Sequence, residues 1–314
     1  MGHRTRISAT NYNISAGHCR VSGTAYKISK GRTLVGGTGY DINFTNLPEI
    51  GTPLNDMTWE QIRAISDAGK AAEYFSVGDT KTITINGSVG RDPNNFYNLS
   101  IDVFIIGFDH NSAVEGTNKI HFQIGKIDGV DVCLRDSWYG ESTSSSGVFN
   151  MAFGFTESTP VGWSDSHMRK VVLGSDSTPD NPTANTLLSA LPSDLRAVMK
   201  PVTKYSDNVG SETSNESHVT ATTEYLPLLA EWEIRGTNSN SNVEEQRHQA
   251  QYDYYANGAS KVKYAHDSVG TKLWWWTRSA AVNNHDRCVR ISTSGGSSTV
   301  AKGYSGGVSP LFCV

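Results

Sequence analysis

The sequence predicts an α+β fold preceded by a short all-β repeat segment, in a chain of 314 residues. Three observations support this prediction. A repeat of fourteen residues opens the chain, an amphipathic helix with a capping box follows near Thr58, and the last residues are Leu311-Phe312-Cys313-Val314. Because a terminal residue is ordinarily frayed, this apolar end indicates a final strand placed inside a core.

Residues 1–45 form the predicted repeat segment. Each unit has the pattern Thr-x-Tyr-x-Ile, with the tyrosines fourteen residues apart: Tyr12 with Ile14, Tyr26 with Ile28, and Tyr40 with Ile42. The alternation gives each unit a strand with one apolar face, and Gly17 and Gly31 are the predicted turn residues. One unit cannot bury its face alone, so we expect units to stack on each other, on a neighbouring subunit or on a larger assembly. The alternative is an edge sheet of the main domain.

The main domain, residues 50–314, follows a boundary rich in Pro and Gly at residues 46–53. Its first element is a predicted helix, in which Thr58 and Gln61 form a capping box and Gly69 marks the stop. One face of this helix carries Trp59, Ile62 and Ile65.

Mixed α and β elements are predicted for the remainder of the domain. Strands are expected at residues 82–85, 101–108 and 120–127, and in the last of these apolar residues alternate with His121 and Gln123. Helices are expected near residues 165–173, 183–191, 193–199 and 243–256. Polar connections, predicted to be exposed loops and a second recognition surface, occupy residues 140–147, 174–182 and 206–223.

The aromatic run Trp274-Trp275-Trp276 has two interpretations. It resembles a carbohydrate-stacking platform, but consecutive residues of a strand alternate faces. We therefore expect at least one of these side chains, with Trp274 and Trp276 favoured, to lie in the core. Arg278 is interpreted as a buried guanidinium that holds loop carbonyl groups.

Composition excludes several classes of protein. The net charge of -4, without a Lys/Arg cluster, disfavours nucleic acid and anionic membranes as partners. No stretch is apolar enough for a membrane span, and the first residues lack the apolar core of a signal peptide, so we expect synthesis and retention in a cytoplasm, or release by lysis.

The four cysteines lack metal-site spacing and are expected to be buried free thiols: Cys19, Cys133, Cys288 and Cys313. Cys288 with Cys313 is the one pair we would test as a disulfide.

The sequence contains none of the usual catalytic signatures, and we expect no enzymatic activity, no cofactor and no metal site. Asp109-His110-Asn111 is the most enzyme-like cluster, yet polar residues at a strand end more often bond a turn. Asp165, His167 and the pair His266-Asp267 are weaker candidates. Calcium is conceivable at loop carboxylates but is left unassigned: Asp176, Asp180, Asp207 and Glu212.

The stretch before the last strand is rich in side chains that hydrogen-bond and stack adaptably, a mix typical of recognition loops. It includes Asn283, Asn284, His285, Asp286, Arg287 and Tyr304. The alternative is an ordinary solvated loop.

Two blocks support a resemblance to a known family. Trp276-Thr277-Arg278-Ser279 and the end Gly307-Val308-Ser309-Pro310-Leu311-Phe312-Cys313-Val314 resemble C-type-lectin-like domains related to the formylglycine-generating-enzyme fold, from Gram-positive gut bacteria and their phages. Segments 69–79, 104–111 and 225–234 resemble the same family in the same order, so the likeness covers residues 50–314. It implies that Asn283, Asn284, His285, Asp286, Arg287 and Tyr304 contact a ligand. The paired-cysteine copper site of the formylglycine-generating enzymes has no evident counterpart here.

A second resemblance concerns the repeat segment. Gly36-Gly37-Thr38-Gly39-Tyr40-Asp41-Ile42 resembles the amino-terminal attachment segments of phage tail and virion proteins. Together the likenesses imply a non-enzymatic virion protein of a bacteriophage or prophage, part of a tail or fibre and assembled in the host cytoplasm. We expect it to be a homotrimer that docks to other virion proteins and binds a host-surface glycan or protein. The alternative is a structural decoration protein without receptor binding.

Overall fold

A computed structural model describes strands within residues 17–43 and then residues 47–90, 94–141, 149–152 and 162–314. The chain separates into two compact units, Met1–Thr52 and Pro53–Val314. Across the described residues the fold is mixed α and β, with several sheets and short helices, which is compatible with the predicted α+β class. No helix in the described parts has the length and apolar character needed to cross a membrane.

Two pairs of antiparallel strands, here called hairpins, are described in the first unit. β1 (Gly17–Val21) pairs with β2 (Thr24–Ile28), and β3 (Lys30–Val35) pairs with β4 (Thr38–Asn43). The two hairpins have the same register, since Tyr26 lies opposite Cys19 and Tyr40 lies opposite Thr33, fourteen residues further on.

The predicted turn glycines are wrong. Gly17 begins β1 opposite Ile28, and Gly31 lies within β3 opposite Ile42. The glycines therefore occupy ladder positions within paired strands. Tyr12 and Ile14 fall outside the described residues.

The second unit opens with helix α1 (Trp59–Asp67), as predicted. The Thr58 hydroxyl accepts from the Gln61 N–H at 3.2 Å, and the Gln61 side chain accepts from the Thr58 N–H at 2.9 Å. Gly69 ends the helix with a φ of 66°, a left-handed backbone that glycine adopts without strain. The buried side chains are the predicted apolar ones, Trp59, Ile62 and Ile65.

A large mixed sheet forms the centre of the unit. Its antiparallel middle contains β5 (Thr80–Val89), β6 (Asn94–Phe108) and β7 (Ile120–Ile127). It continues through β8 (Val130–Cys133), which is parallel to β11 (Lys263–Ala265), and ends at β12 (Ser268–Leu273). All three strands predicted before residue 130 are present.

The final strand, β16 (Leu311–Cys313), adds to this sheet beside β7. Phe312 lies opposite Phe122, their rings stack at 5.2 Å, and the edge of Trp59 contacts both rings. Leu311 to Val314 are fully buried, so the predicted interior position of the chain end is confirmed. His121 and Gln123, which alternate with the apolar residues of β7, are also buried, because β7 is covered on both faces.

Helices in the middle of the unit are shorter than predicted. The helix predicted at residues 165–173 is replaced by a π-helix (Met168–Leu173), which follows a 3₁₀ turn (Trp163–Asp165). The expected helix at 243–256 is split into a 3₁₀ helix (Val243–Arg247) and a separate turn, because the chain between them leaves the helical path to reach β6. The remaining helices are single turns: α2 (Ala71–Tyr74), α3 (Ser112–Glu115), α4 (Leu187–Ala190), α5 (Ser193–Arg196), α6 (Glu231–Arg235) and α7 (Asp253–Ala256), beside a 3₁₀ turn at Leu54–Asp56 and another at Glu216–His218.

Two smaller antiparallel sheets complete the unit. β9 (Val202–Asp207) pairs with β10 (Val219–Glu224), and β14 (Arg287–Ile291) lies between β13 (Trp275–Ala280) and β15 (Ser297–Ala301). Trp274, Trp275 and Trp276 are all buried, so core packing is confirmed for the aromatic run. A Cβ at Gly306 would lie 2.3 Å from the Trp274 ring, so only glycine fits there.

Cys133, Cys288 and Cys313 are buried free thiols, as expected. The disulfide considered between Cys288 and Cys313 is therefore wrong, because the two residues lie in different sheets, β14 and β16. Cys19 belongs to β1, whose side chains are outside the described set.

Candidate functional site

The predicted contact residues lie mainly on one turn, residues 281–286, which connects β13 to β14 and is called the display turn here. The side chains of Asn283, Asn284 and Asp286 are exposed, and His285 is partly exposed. Arg287 is the first residue of β14, and its guanidinium donates to the Thr299 carbonyl on β15 at 3.1 Å. Tyr304 follows β15 and remains 37 % exposed.

The backbone of the display turn is tied to three other segments. The Ser211 N–H donates to the Ala281 carbonyl at 3.0 Å, and the Val282 N–H donates to the Asn240 carbonyl at 3.0 Å. The Lys302 N–H donates to the Asp286 carbonyl at 2.9 Å, which places the segment leading to Tyr304 beside the turn. Exposed side chains thus project from a backbone held on several sides.

Three buried carboxylates, called the carboxylate layer, organise the segments that hold the turn: Asp207, Glu231 and Glu245. Asp207 accepts from the N–H groups of Val209 and Gly210, just before the Ser211 contact. Glu231 accepts from the Asn240 N–H at 3.0 Å and from the Ser241 hydroxyl at 2.8 Å. The carboxylates therefore fix the loops by accepting their orphaned backbone donors.

Glu245 connects the members of the carboxylate layer. Its Oε1 accepts from the Asp207 N–H at 2.8 Å, and its Oε2 accepts from the Ser279 hydroxyl at 2.8 Å. The Ser279 oxygen in turn accepts from the Glu231 N–H at 3.1 Å. Burial raises the pKa of Glu245 to about 7, despite the opposing effect of the Asp207 N–H and of the Arg278 charge. This carboxyl group changes charge near neutral pH.

A second polar group lies deep in the core, in contact with the main sheet. We call His110, Glu115 and His121, with the neighbouring Lys204, Tyr252 and Cys313, the histidine cluster. His110 follows β6, Glu115 ends α3 and His121 lies in β7. Each of the three is no more than 7 % exposed.

Lys204 links the histidine cluster to a buried ion network. Its ammonium donates to Glu115 Oε1 at 2.8 Å, to Glu233 Oε1 at 2.8 Å and to the Tyr252 hydroxyl at 2.9 Å. Glu233 also pairs with the Arg278 guanidinium. Burial alone would raise the pKa of Glu233, but the charges of Arg278 and Lys204 outweigh burial and lower it.

The interpretation of Arg278 is confirmed and extended. Its guanidinium is fully buried and donates to the Leu228 carbonyl at 2.8 Å, so it does hold a loop carbonyl. The sequence did not reveal the Glu233 partner, which approaches from α6.

Around His121 the polar contacts are close. Its Nδ1 lies 3.0 Å from the Tyr252 hydroxyl and 3.3 Å from Cys313 Sγ, since Cys313 is its register partner on β16. Burial, together with the charges of His110 and Lys204, lowers the pKa of His121 well below its ordinary value. The ring is therefore neutral and offers a lone pair.

His110, Glu115 and His121 are the residues that could hold a metal ion in the described parts of the chain, with one ligand atom from each lying within 4.8 Å of the others. The four loop carboxylates considered for calcium do not converge in this way among the described residues. Asp207 belongs to the carboxylate layer, whereas Asp176, Asp180 and Glu212 are exposed.

The Asp109-His110-Asn111 motif is divided between two roles. The Asp109 carboxylate accepts from the Lys119 N–H at 2.8 Å, which is the turn bond expected at a strand end. Asn111 has a φ of 46° and precedes α3. Of the three residues only His110 is buried, and no local pattern in the sequence connects it with residues 204, 252 and 313.

The comparisons with known proteins bear on the second unit only. Residues 148–314 match the model of a family described as a domain of unknown function, DUF6273. No curated protein and no solved structure matches the chain. Strands β5 to β8 precede the matched region, yet β16, which lies within it, pairs with β7. Because the match spans just over half of the 314 residues, this protein belongs to the DUF6273 family.

Proposed function

We propose that the protein is a non-enzymatic binding protein of a bacteriophage or prophage virion. In this proposal the second unit is a C-type-lectin-like domain that binds a glycan or protein of the host surface. The first unit docks the protein to other virion components, as part of a tail or fibre. The resemblances described above motivate the proposal, and the geometry of the display turn supports its binding role.

The single observation that supports binding is the contrast between backbone and side chains in the display turn. Its backbone bonds Ser211, Asn240 and Lys302, whereas Asn283, Asn284 and Asp286 project into solvent. A loop held in one conformation loses little entropy when it binds a ligand. Polar side chains on such a loop can therefore contribute most of their hydrogen-bond energy to recognition.

The side chains also indicate the class of ligand. Asn283 and Asn284 offer both donors and acceptors, Asp286 offers acceptors, and Tyr304 offers a partly exposed ring. This combination suits hydroxyl-rich or amide-rich ligands such as glycans. One site of this size binds weakly, so we propose that several copies act together on the virion.

The repeated hairpins support the docking role. β1 with β2 and β3 with β4 repeat the same register at a spacing of fourteen residues. Isolated two-stranded hairpins are marginally stable in water, so a repeat of this kind gains stability by packing on further units or on a partner. We propose a homotrimer as the assembled form.

The test uses fluorescent beads coated with the full-length protein and a panel of Gram-positive bacteria, with staining measured by flow cytometry. The variant Asn283→Ala/His285→Ala/Asp286→Ala removes exposed groups and leaves the bonded backbone in place. The control variant, Thr271→Ala/Lys272→Ala, removes exposed groups of β12.

We expect the native protein to stain at least one strain and the control variant to stain it equally. The display-turn variant should stain it at least about tenfold less, because a tenfold loss of affinity corresponds to only ~1.4 kcal/mol of binding free energy. Equal staining by both variants would place the ligand elsewhere and refute the role of the display turn. Absence of staining by the native protein would refute ligand binding and favour the decoration protein.

A further inference from the structure

We propose that the histidine cluster is a buried binding site for a divalent transition-metal ion of the zinc type, with His110, Glu115 and His121 as ligands and the Cys313 thiolate as the fourth. This site lies in the core of the second unit, and its existence does not depend on the display turn.

The first argument is the spacing of the ligand atoms. One ligand atom from each of His110, Glu115 and His121 lies within 4.8 Å of the other two, and His121 Nδ1 lies 3.8 Å from Glu115 Oε2. Cys313 Sγ lies 3.3 Å from His121 Nδ1 but outside this group of three. Ligand atoms around a tetrahedral zinc ion are separated by roughly 3.3 to 3.8 Å, given bond lengths near 2.0 Å to N or O and 2.3 Å to S. The three ligands therefore need only small adjustments to receive the ion, and Cys313 must move closer to the other ligands to complete the tetrahedron.

The second argument is the contact between His110 and Glu115. His110 Nε2 lies 2.9 Å from the Ala250 carbonyl, which only accepts, so Nε2 carries a ring proton. The other nitrogen, Nδ1, lies 3.1 Å from Glu115 Oε1, and this contact needs a proton or a cation between the two groups. A metal ion bound to His110 Nδ1 and Glu115 can take the place of that proton.

Neighbouring donors leave one oxygen of Glu115 without a partner. Lys204 directs its three N–H groups at Glu115, Glu233 and Tyr252. The Tyr252 oxygen accepts from Lys204 and lies 3.0 Å from His121 Nδ1. Glu115 Oε2 is buried and has no hydrogen-bond partner among the described residues, although a buried carboxylate oxygen ordinarily has one.

The surroundings of the cluster are those of metal ligands. The outer nitrogen of His110 donates to a backbone carbonyl, which fixes the ring and its tautomer, as is usual for a metal-bound histidine. Lys204 holds Glu115 Oε1, so Oε2 remains available to the ion. The stacked Tyr252 ring, 3.6 Å from the His110 ring, limits its rotation.

Metal binding displaces two protons. The ion replaces the S–H proton of Cys313 and the proton between His110 Nδ1 and Glu115, and both protons leave to solvent. The charges of the thiolate and Glu115 together balance the two charges of the ion.

The geometry indicates a structural site. Glu115 and His121 are at most 3 % exposed and Cys313 is fully buried, so no coordination position opens to solvent. The ligands come from the turn after β6, from α3, from β7 and from β16. The ion would join the final strand to the middle of the chain, almost two hundred residues away, and stabilise the core.

The experiment begins with the full-length protein, expressed in medium supplemented with zinc and analysed by inductively coupled plasma mass spectrometry. A second sample is unfolded with chelator and refolded with Co²⁺ as the probe, and its absorption spectrum is recorded. We expect one zinc ion per chain, and for cobalt the visible bands of a tetrahedral site with a thiolate charge-transfer band in the near ultraviolet.

Three variants identify the ligands. Cys313→Ser should lose the charge-transfer band, and His110→Ala should lose the tetrahedral bands. Cys288→Ser, the matched control at another buried free thiol, should keep both. Loss of the charge-transfer band in Cys288→Ser but not in Cys313→Ser would refute the assignment of the fourth ligand.

Measurements on the native protein decide the proposal even where a variant fails to fold. Less than about a tenth of an equivalent of zinc, with no tetrahedral cobalt bands, would overturn the site. A ring of His110 that carries protons on both nitrogens in the zinc-supplemented protein, detected by ¹⁵N nuclear magnetic resonance, would also overturn it, since a proton would then fill the gap.

Discussion

Replacing Glu245 with Gln should remove a distinct pH dependence of folding stability. Glu245 lies beneath the display turn, where burial raises the pKa of its carboxyl group to about 7 from 4.5. Glutamine has nearly the same shape, can accept from the Asp207 N–H and can donate to the Ser279 hydroxyl. The substitution Glu245→Gln therefore removes the ionisation and keeps the hydrogen bonds.

The expected magnitude follows from the two pKa values of Glu245. Between them the folded protein holds a proton that the unfolded chain has released, so the free energy of unfolding falls as the pH rises. The contribution is complete below pH 4.5 and is lost as the pH rises through about 7. The difference of 7 − 4.5 = 2.5 pH units, at 1.36 kcal/mol each, gives about 3 kcal/mol.

The assay is urea unfolding of the native protein and of Glu245→Gln at a series of pH values from about 4.5 to about 8, the range in which a buried carboxyl group of this kind titrates. The native protein should lose about 3 kcal/mol more than the variant across this range. Other titrating groups, including Glu233, are common to both proteins and cancel in the comparison. Glu216→Gln removes the same charge at a site that is 64 % exposed and should keep the native profile.

Parallel pH profiles for the native protein and Glu245→Gln would refute this reasoning. They would mean that Glu245 is ionised throughout the range, because water or a counter-charge reaches the carboxyl group. The carboxylate layer would then be charged at every pH tested, and the loops that hold the display turn would not respond to pH.

Two further predictions concern the core. Lys204→Met leaves Glu115 and Glu233 short of a buried counter-charge and should lower the free energy of unfolding by about 3–5 kcal/mol. The control Lys170→Met, in an exposed ion pair, should lower it by less than about 1 kcal/mol. Equal losses in urea unfolding would show that the buried network is dispensable. Phe312→Ala should lower the free energy of unfolding by about 3–5 kcal/mol, because the Phe312 ring packs on Trp59 and Phe122. Tyr97→Ala, at a position that is 78 % exposed, should change the free energy of unfolding by no more than about 0.5 kcal/mol. A small loss for Phe312→Ala in thermal unfolding would contradict the clamping role of β16.

Local patterns predicted the elements that depend on neighbouring residues. The capping box of Thr58 and Gln61 requires only contacts three residues apart, and it is present. The spacing of the repeats is likewise reproduced by the registers of the two hairpins. The apolar end of the chain predicted an interior strand, because Leu311 and Phe312 gain free energy only when they are buried.

Elements that depend on distant partners were predicted less well. The pattern around residues 243–256 is that of one helix, but the segment is divided because its second half packs on β6. The alternation in β7 distinguishes His121 from its apolar neighbours, but the structure buries His121 as well, beside the polar partners Tyr252 and Cys313. Periodicity reports which side chains are apolar and does not report which polar ones find partners.

The same distinction between local patterns and distant partners applies to the candidate site. The composition of residues 283–287 predicted a polar recognition surface, and the structure places these residues at an exposed turn and the strand that follows it. The carboxylate layer beneath it was missed, since Asp207, Glu231 and Glu245 meet only through loops from different parts of the chain. The sequence signal for this layer is the set of acidic residues that stand beside apolar ones in residues 231–245, because a buried carboxylate requires specific hydrogen-bond donors.

The sequence by itself determined the α+β class, the fourteen-residue period of the repeats, the first helix and the burial of the final strand, because these follow from short-range periodicity and from the transfer of apolar groups out of water. Only the tertiary structure brought His110, Glu115 and His121 together with Cys313 and placed Glu233 against Arg278. A polar group is stable in the core only when hydrogen-bond or charge partners surround it, and those partners are separated by tens to hundreds of residues along the chain.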